Sequence, residues 1–269
     1  MGSFPRPVPT GLLGADDPPP VGLHNDEASS PFLIICDHAG NAVPAVLAGL
    51  GLPQSELDRH IGIDIGILGV SMALSDRLQA PLIFQRYSRL VAECNRRLDS
   101  PSFMTPISDG TPVPANQDPT ADDRQARIRE IVEPYHTAIS TYIDHKLAAG
   151  QPLILVSMHS FTPSLLAAPA PRPWHVGLCY HDNRQFSDLV LTELAHQRDL
   201  VIGSNEPYGV NMAEDYSVPV HGEERRLPYV EFEIRQDLIA DASGQVTWAE
   251  RLAPVLKAAC AHFGVEAGR

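Results

Sequence analysis

The chain has 269 residues, 43% hydrophobic and 20% charged, enough to bury a full core as one α/β domain. Its formal net charge of −13 argues against nucleic acid or an anionic membrane as a partner. No apolar run approaches the ~20 residues that span a bilayer, no signal peptide opens the chain, and four scattered cysteines form no C-x-x-C pair, so a reducing, cytoplasmic setting is expected.

Residues 1–30 are rich in Pro and Gly and read as an extended or disordered arm, with residues 31–269 forming a single α/β hydrolase domain. The apolar run over 32–36 predicts a buried strand that ends at His38, where a Gly- and Pro-containing loop opens. After a short helix and turn over 44–60 comes Asp64, and then Ile67, Val70, Leu74 and Leu78 recur at helical spacing. Asp64 is therefore either an N-cap or a carboxylate held at a helix start. Residues 81–84 read as a strand and lead into four arginines, Arg86, Arg89, Arg96 and Arg97, a positive island in an acidic chain. A loop over 98–119 follows, and Thr120 with Asp123 resembles a capping box for a helix that Pro134 is expected to kink. Strands are expected over 153–158, ending at His159, and over 176–180 and 200–203, with a helix over about 184–198 between the last two. A second long polar loop, 204–226, carries His221. The last strand, 229–235, alternates so that Glu231 and Glu233 share one face and Val230, Phe232 and Ile234 the other, and Thr247 is expected to cap the C-terminal helix. Strands and helices alternating throughout predict a three-layer fold: a mainly parallel or mixed sheet with helices on both faces.

Two buried strands, each ending in a histidine, suggest one site built from both, because ligands in open α/β sheets bind at the C-terminal strand edge. Either histidine alone reads better as a satisfied, hydrogen-bonded strand-end residue; the pair, with nearby carboxylates, favours metal binding. A hydrolytic zinc site needs three protein ligands and an open position, two histidines and a carboxylate being a standard set, and His38, Asp64 and His159 supply it without a local H-E-x-x-H signature. A general base is also required, and Glu233 is the candidate, with a salt bridge to Arg235 or another arginine as its bland alternative.

The chain resembles the N-formylglutamate amidohydrolase family in the His38-Ala39-Gly40 loop, Asp64-Ile65-Gly66, Tyr87-Ser88-Arg89-Leu90, Asn95-Arg96, His159-Ser160-Phe161-Thr162-Pro163 and Glu233-Ile234-Arg235-Gln236-Asp237. That family is grouped with zinc carboxypeptidases, aspartoacylase-like enzymes and N-acetylmuramoyl-L-alanine amidases. The resemblance implies a phosphorylase/hydrolase-like fold and one Zn2+ per chain, held by His38, Asp64 and His159, with Glu233 as the catalytic glutamate. It also implies that Asn95 and Arg96, with Ser160, bind substrate, Arg96 through a carboxylate. Arg89 is a candidate for a second carboxylate or the oxyanion, and His221 for a hydrogen bond to the intermediate, unless it is only an exposed loop residue. Asp37 and Glu93 depart from the family pattern, where Pro and Asp are expected. The activity so implied is hydrolysis of the N-acyl, N-formyl above all, amide of an acidic amino acid such as N-formyl-L-glutamate. A peptidoglycan or small-peptide amidase and a metal-free binding protein on the same fold are the alternatives, and nothing in the sequence sets the oligomeric state.

Overall fold

A computed structural model describes residues 11–265. Its core is a seven-stranded sheet in the order β1-β3-β2-β6-β9-β7-β8. These strands are β1 (Val21–His24), β2 (Phe32–Cys36), β3 (Leu82–Gln85), β6 (Ile154–Phe161), β7 (Val176–Cys179), β8 (Ile202–Ser204) and β9 (Tyr229–Arg235). The central four, β3, β2, β6 and β9, run parallel, β1 pairs antiparallel with β3, and β7 pairs antiparallel with β9 and parallel with β8. A separate short hairpin joins β4 (Ile107–Ser108) to β5 (Thr111–Pro112).

The period-2 geometry of the strands splits their side chains between two cores. Phe32, Ile34, Val156, Met158, Val230 and Phe232 face α2 (Ile67–Leu78), α5 (Gln185–Leu194) and α6 (Ala242–His262). Leu33, Ile35, Leu155 and Tyr229 face the opposite layer, whose main helix is α4 (Glu133–Ala148). Two short helices, α1 (Gln54–Leu57) and α3 (Ala121–Arg127), complete the set. The result is the expected three-layer α/β arrangement.

Four local expectations change. Part of the expected arm, 21–24, is the sheet's edge strand, fixed by register against Leu82–Gln85, while residues 1–10 of that arm lie outside the described residues. The loop over 98–119 contains the small hairpin. The expected helix is divided: helical backbone runs from α3 through a π-turn over Ile128–Val132 into α4, and Pro134 sits in the first turn of α4, directly after the π-turn. The C-terminal helix begins at Ala242, not Thr247, because Asp241 caps it by accepting the Gly244 N–H at 2.8 Å. Thr247 lies inside that helix, its hydroxyl donating to the Ser243 carbonyl at 2.8 Å.

Candidate metal centre and reaction cavity

Parallel pairing brings the chemistry to one sheet edge. Strands β2, β6 and β9 are neighbours, and the register places His159 opposite Glu233 and Ser157 opposite Glu231. His159, Glu231 and Glu233 therefore share the face that also carries Leu155 and Tyr229, at its C-terminal end. His38 follows β2 in a loop locked onto the loop after β3, where Ala42 donates to the Arg86 carbonyl at 3.1 Å and accepts from Ser88 at 2.9 Å. Gly40 permits that approach, since a Cβ there would lie 2.1 Å from the Arg86 carbonyl oxygen. The Asp64 N–H donates to the His38 carbonyl at 3.0 Å, which joins the start of α2 to the same loop.

Asp64 is not the cap of α2. Gly66 occupies the N-cap position with φ 79°, and no side chain caps the helix. The Asp64 carboxylate turns the other way: Oδ2 lies 3.3 Å from His38 Nδ1 and 3.2 Å from His159 Nδ1, and accepts the Ser160 N–H at 3.1 Å. The two Nδ1 atoms are 3.2 Å apart, and one donor atom from each of His38, Asp64 and His159 lies within 4.8 Å of the others, all three residues buried. This donor set fits a metal ion. Two imidazoles and a carboxylate aimed at one point, out of water, form a three-ligand site of the kind zinc occupies. A carboxylate faces the outer nitrogen of each ring, the arrangement usual around metal-binding histidines. His38 Nε2 contacts Glu93 Oε1, and His159 Nε2 lies 3.3 Å from Asp37 Oδ2. Asp37 is fixed in turn by the hydroxyls of Tyr135 and Ser217, each donating to Oδ1 at 2.8 Å.

Electrostatics follow from this crowding. Burial disfavours the charged form of His159, but hydrogen bonding to Asp37 and Asp64 outweighs it and holds its pKa well above 6.5. Burial and Arg89 oppose charging of His38, and Glu93 with Asp64 outweigh them, again raising it. Burial would raise Asp64, but the two histidines and Arg89 hold it well below the usual range. Burial pushes Glu233 up to about 8, opposed by His159 and reinforced by Asp64 and Glu231. Glu231 rises to about 7, also chiefly through burial. Glu233 Oε2 is buried without a hydrogen-bond partner, and Arg235 pairs with Asp237 at 2.7 Å, so the alternative salt bridge does not form.

The cluster opens into a cavity of about 460 Å³ lined by His38, Asp64, His159, Glu231 and Glu233, with Arg89, Arg96, Asn95 and Ser160 on the same wall system. Arg96 donates from Nη1 to the Asn95 carbonyl at 2.8 Å and to Asp215 Oδ1 at 2.6 Å, leaving Nε and Nη2 without a protein acceptor among the described residues. Arg89 differs: Nε and Nη2 bind Glu93 Oε2 at 2.7 Å and Nη1 binds Asp64 Oδ1 at 3.1 Å. Its fork already holds two carboxylates of the chain, so it supports the cluster rather than offering an open fork to substrate. Asn95 Oδ1 accepts the Ser217 N–H at 2.9 Å, and the Ser160 hydroxyl donates to the Ile65 carbonyl at 3.0 Å. His221 is neither exposed nor on the cavity wall. It is 1% exposed in the turn Pro219–Glu223, with Nε2 3.0 Å from His136 Nδ1, because the polar loop folds back into the core. The residues that sequence reasoning passed over are Asp37 and Glu93 as ring-orienting carboxylates and Tyr208 on the cavity wall. Asp37 directly precedes a candidate ligand and Glu93 lies i+4 from Arg89, which were the available signals.

The model of the N-formylglutamate amidohydrolase family matches residues 30–240. The chain belongs to the N-formylglutamate amidohydrolase family. Among solved structures, a gene product of Agrobacterium tumefaciens is 31% identical with a TM-score of 0.90, covering 94% of this chain and 99% of its own. An N-formylglutamate amidohydrolase from Ralstonia eutropha has the same fold at 22% identity, TM-score 0.67, covering 92% of this chain and 100% of its own. No curated protein sequence matches the chain. The family match runs from the start of β2 past the end of β9, so every residue of the cluster in this family member falls within it.

Proposed function

We propose that the protein is a zinc-dependent amidohydrolase that cleaves the N-acyl, foremost the N-formyl, amide of an amino acid, with N-formyl-L-glutamate the first substrate to test. The observation that carries this reading is the cavity itself. Three buried donors of metal-binding type, an unpartnered buried glutamate and an arginine with an open edge line one space in a chain of this family.

His38, Asp64 and His159 would hold the ion, which when bound supplies Lewis-acid polarisation of the amide carbonyl and acidifies water. Arg96 binds the substrate's α-carboxylate through its free edge, with Asp215 and the Asn95 carbonyl fixing the other side so that little rotamer freedom remains to be lost. Glu233 accepts the proton of the attacking water at its free carboxylate oxygen and delivers it to the departing amine nitrogen. Burial raises the Glu233 carboxyl to about 8, and a cation held by the adjacent cluster would oppose that rise and favour the carboxylate that accepts the proton. Glu93, Asp37 and Arg89 keep the two rings and Asp64 aimed while this happens.

The test is metal content by atomic absorption together with hydrolysis of N-formyl-L-glutamate by the zinc-loaded and chelator-treated protein. One zinc per chain, and activity that disappears on chelation and returns with zinc, is expected. Full activity in metal-free protein would overturn the reading. Arg96→Lys should raise KM far more than it lowers kcat, because a point charge cannot reproduce the two-pronged contact.

A further inference from the structure

Cleavage of an amide places negative charge on the former carbonyl oxygen, and preorganised donors aimed at that oxygen usually supply the largest single share of the rate. The two side chains that the sequence offered for this role are not free for it. Arg89 is occupied by Asp64 and Glu93, and His221 lies off the cavity wall against His136. Other donors on the wall are also spent. Ser160 donates to the Ile65 carbonyl at 3.0 Å and Thr162 to the Ser164 carbonyl at 2.9 Å. Ser102 donates to the Ser100 hydroxyl at 2.8 Å, since Ser100 gives its own proton to Glu214. His60 turns Nε2 toward Asp109 at 3.2 Å, and Arg96, with Asn95 beside it, is assigned to the α-carboxylate. Tyr208 remains.

The backbone of Tyr208 hangs from the sheet. Strand β7 pairs antiparallel with β9, which sets Cys179 opposite Glu231 and Gly177 opposite Glu233. The Cys179 thiol donates to the Tyr208 carbonyl at 3.0 Å. Asn205, three residues earlier, is tied to the same strand and its end: its N–H donates to the Leu178 carbonyl at 2.8 Å, and its Oδ1 accepts the Tyr180 N–H at 2.9 Å. The loop that carries Tyr208 is thus fixed to the neighbour of the strand bearing Glu231 and Glu233. Its side chain is oriented from the other side of β9. Arg172, in the loop after β6, donates from Nη1 to the Tyr208 hydroxyl oxygen at 2.7 Å and from its backbone N–H to the Pro163 carbonyl at 3.1 Å. The hydroxyl proton is left with no acceptor among the described residues, on the wall of the reaction cavity. The ring is exposed at the rim, yet burial of its hydroxyl end, then the Glu233 carboxylate, raise its pKa against the pull of Arg172. It stays a protonated donor at neutral pH.

We propose that Tyr208 is a further catalytic residue, whose hydroxyl donates a hydrogen bond to the anionic oxygen that develops from the scissile carbonyl, and that Arg172 is its positioning residue. The inference rests on the amidohydrolase reading and adds two residues to it. No proton changes hands in this contact. The phenol stays a phenol, and Glu233 alone carries the proton from water to the departing amine. Arg172 draws electron density from the phenol oxygen and fixes the direction of its O–H, so the donor is aimed before substrate arrives.

The experiment compares the zinc-loaded full chain with Tyr208→Phe, which removes only the hydroxyl, in hydrolysis of N-formyl-L-glutamate. The variant's kcat should fall by about 10²–10³-fold while KM stays within about three-fold, the pattern of a lost oxyanion donor. Calorimetry supplies a readout that needs no turnover. A phosphonamidate analogue of N-formyl-L-glutamate, tetrahedral at phosphorus and carrying an anionic oxygen, should bind the variant about 10²-fold more weakly than the wild type. The product glutamate should bind both within about three-fold. Arg172→Met should lower kcat by about ten-fold, and Arg172→Lys, which keeps a donor, by less. Circular dichroism and zinc content establish that each variant is folded and loaded. Unchanged kcat in Tyr208→Phe, a loss confined to KM, or equal weakening of analogue and glutamate would overturn the assignment. An active wild type with an unaffected Tyr208→Phe sinks this inference alone. A zinc-loaded wild type that leaves N-formyl-L-glutamate intact sinks the amidohydrolase reading first, and the assignment with it.

Discussion

At the residue scale, the cluster contains more carboxylates than a metal needs, and each excess one has a job that can be tested. Glu93 sits on the outer nitrogen of His38 and Asp37 on that of His159. Glu93→Gln and Asp37→Asn should each lower zinc affinity by about 10–100-fold while the fold survives, measured by competition with a chromophoric chelator. Unchanged affinity in both would show that the rings need no such support. Because His38 and His159 hold their protons more tightly than a free imidazole in the metal-free protein, zinc must displace them. Its affinity should therefore rise with pH through neutrality, with proton release measured by calorimetry in buffers of different ionisation enthalpy. Glu233→Gln should lower kcat by about 10²–10⁴-fold with zinc retained, and Glu231→Gln far less. The reverse ranking would move the base one pleat along β9. Sequence made His38 and His159 visible because each stands at the end of a buried apolar run, whereas Glu233 shares its strand face with Glu231 and only the family resemblance chooses between them. Asp37 and Glu93 showed only as departures from a family pattern, since a supporting carboxylate has no periodicity of its own. The engagement of Arg89 with Asp64 and Glu93 is hidden for a related reason: a sequence shows that an arginine is present, not which carboxylates occupy it.

At the element scale, backbone permissiveness at a few points lets the elements meet. Gly66 starts α2 at φ 79°, and a Cβ there would come within 2.0 Å of the Ile239 carbonyl oxygen. Gly66→Ala thus combines strain with a backbone clash and should destabilise the fold by more than about 1 kcal/mol, while also shifting Asp64 two residues away. Urea denaturation with zinc titration on the same variant separates the two consequences. A wild-type midpoint would show that the α2 start can relax. Strands β2, β3 and β6 are readable from their apolar runs, as buried parallel strands demand, and β9 from the alternation of Glu231 and Glu233 with Val230, Phe232 and Ile234. Edge strand β1 was not, because VGLH offers one buried residue in four and is defined by its partner rather than by its own pattern. The start of α6 was hidden by Ser243 and Gly244, poor helix formers that the Asp241 cap overrides.

At the scale of the whole molecule, the fold keeps two neutral histidines in its core at some cost in acid. His136 Nε2 donates to the Cys94 carbonyl at 2.9 Å, so its Nδ1 accepts from His221 Nε2 at 3.0 Å, and His221 Nδ1 is left buried without a partner. Burial, then the neighbouring His136, lowers His221 to about 3, and burial lowers His136 too. Nothing in a polar loop reading HGEERR advertises this, since it arises only when the loop folds back over α4. A histidine whose folded pKa lies below its unfolded value of about 6.5 contributes stability that is complete above that pH. As the medium acidifies from there toward about 3, the unfolded chain takes up the proton first and the contribution is lost. The net pH profile mixes signs, because Glu231 and Glu233, raised to about 7 and 8, make the metal-free fold more stable as pH falls through the same region. The difference between wild type and His221→Gln isolates the histidine. The unfolding free energy of the wild type relative to this variant should fall by up to about 1.4 kcal/mol for each pH unit between roughly 6.5 and 4.5, by urea denaturation of metal-free protein. A difference independent of pH would mean that His221 is protonated equally in both states and that the buried, one-sided histidine relay does not exist in solution.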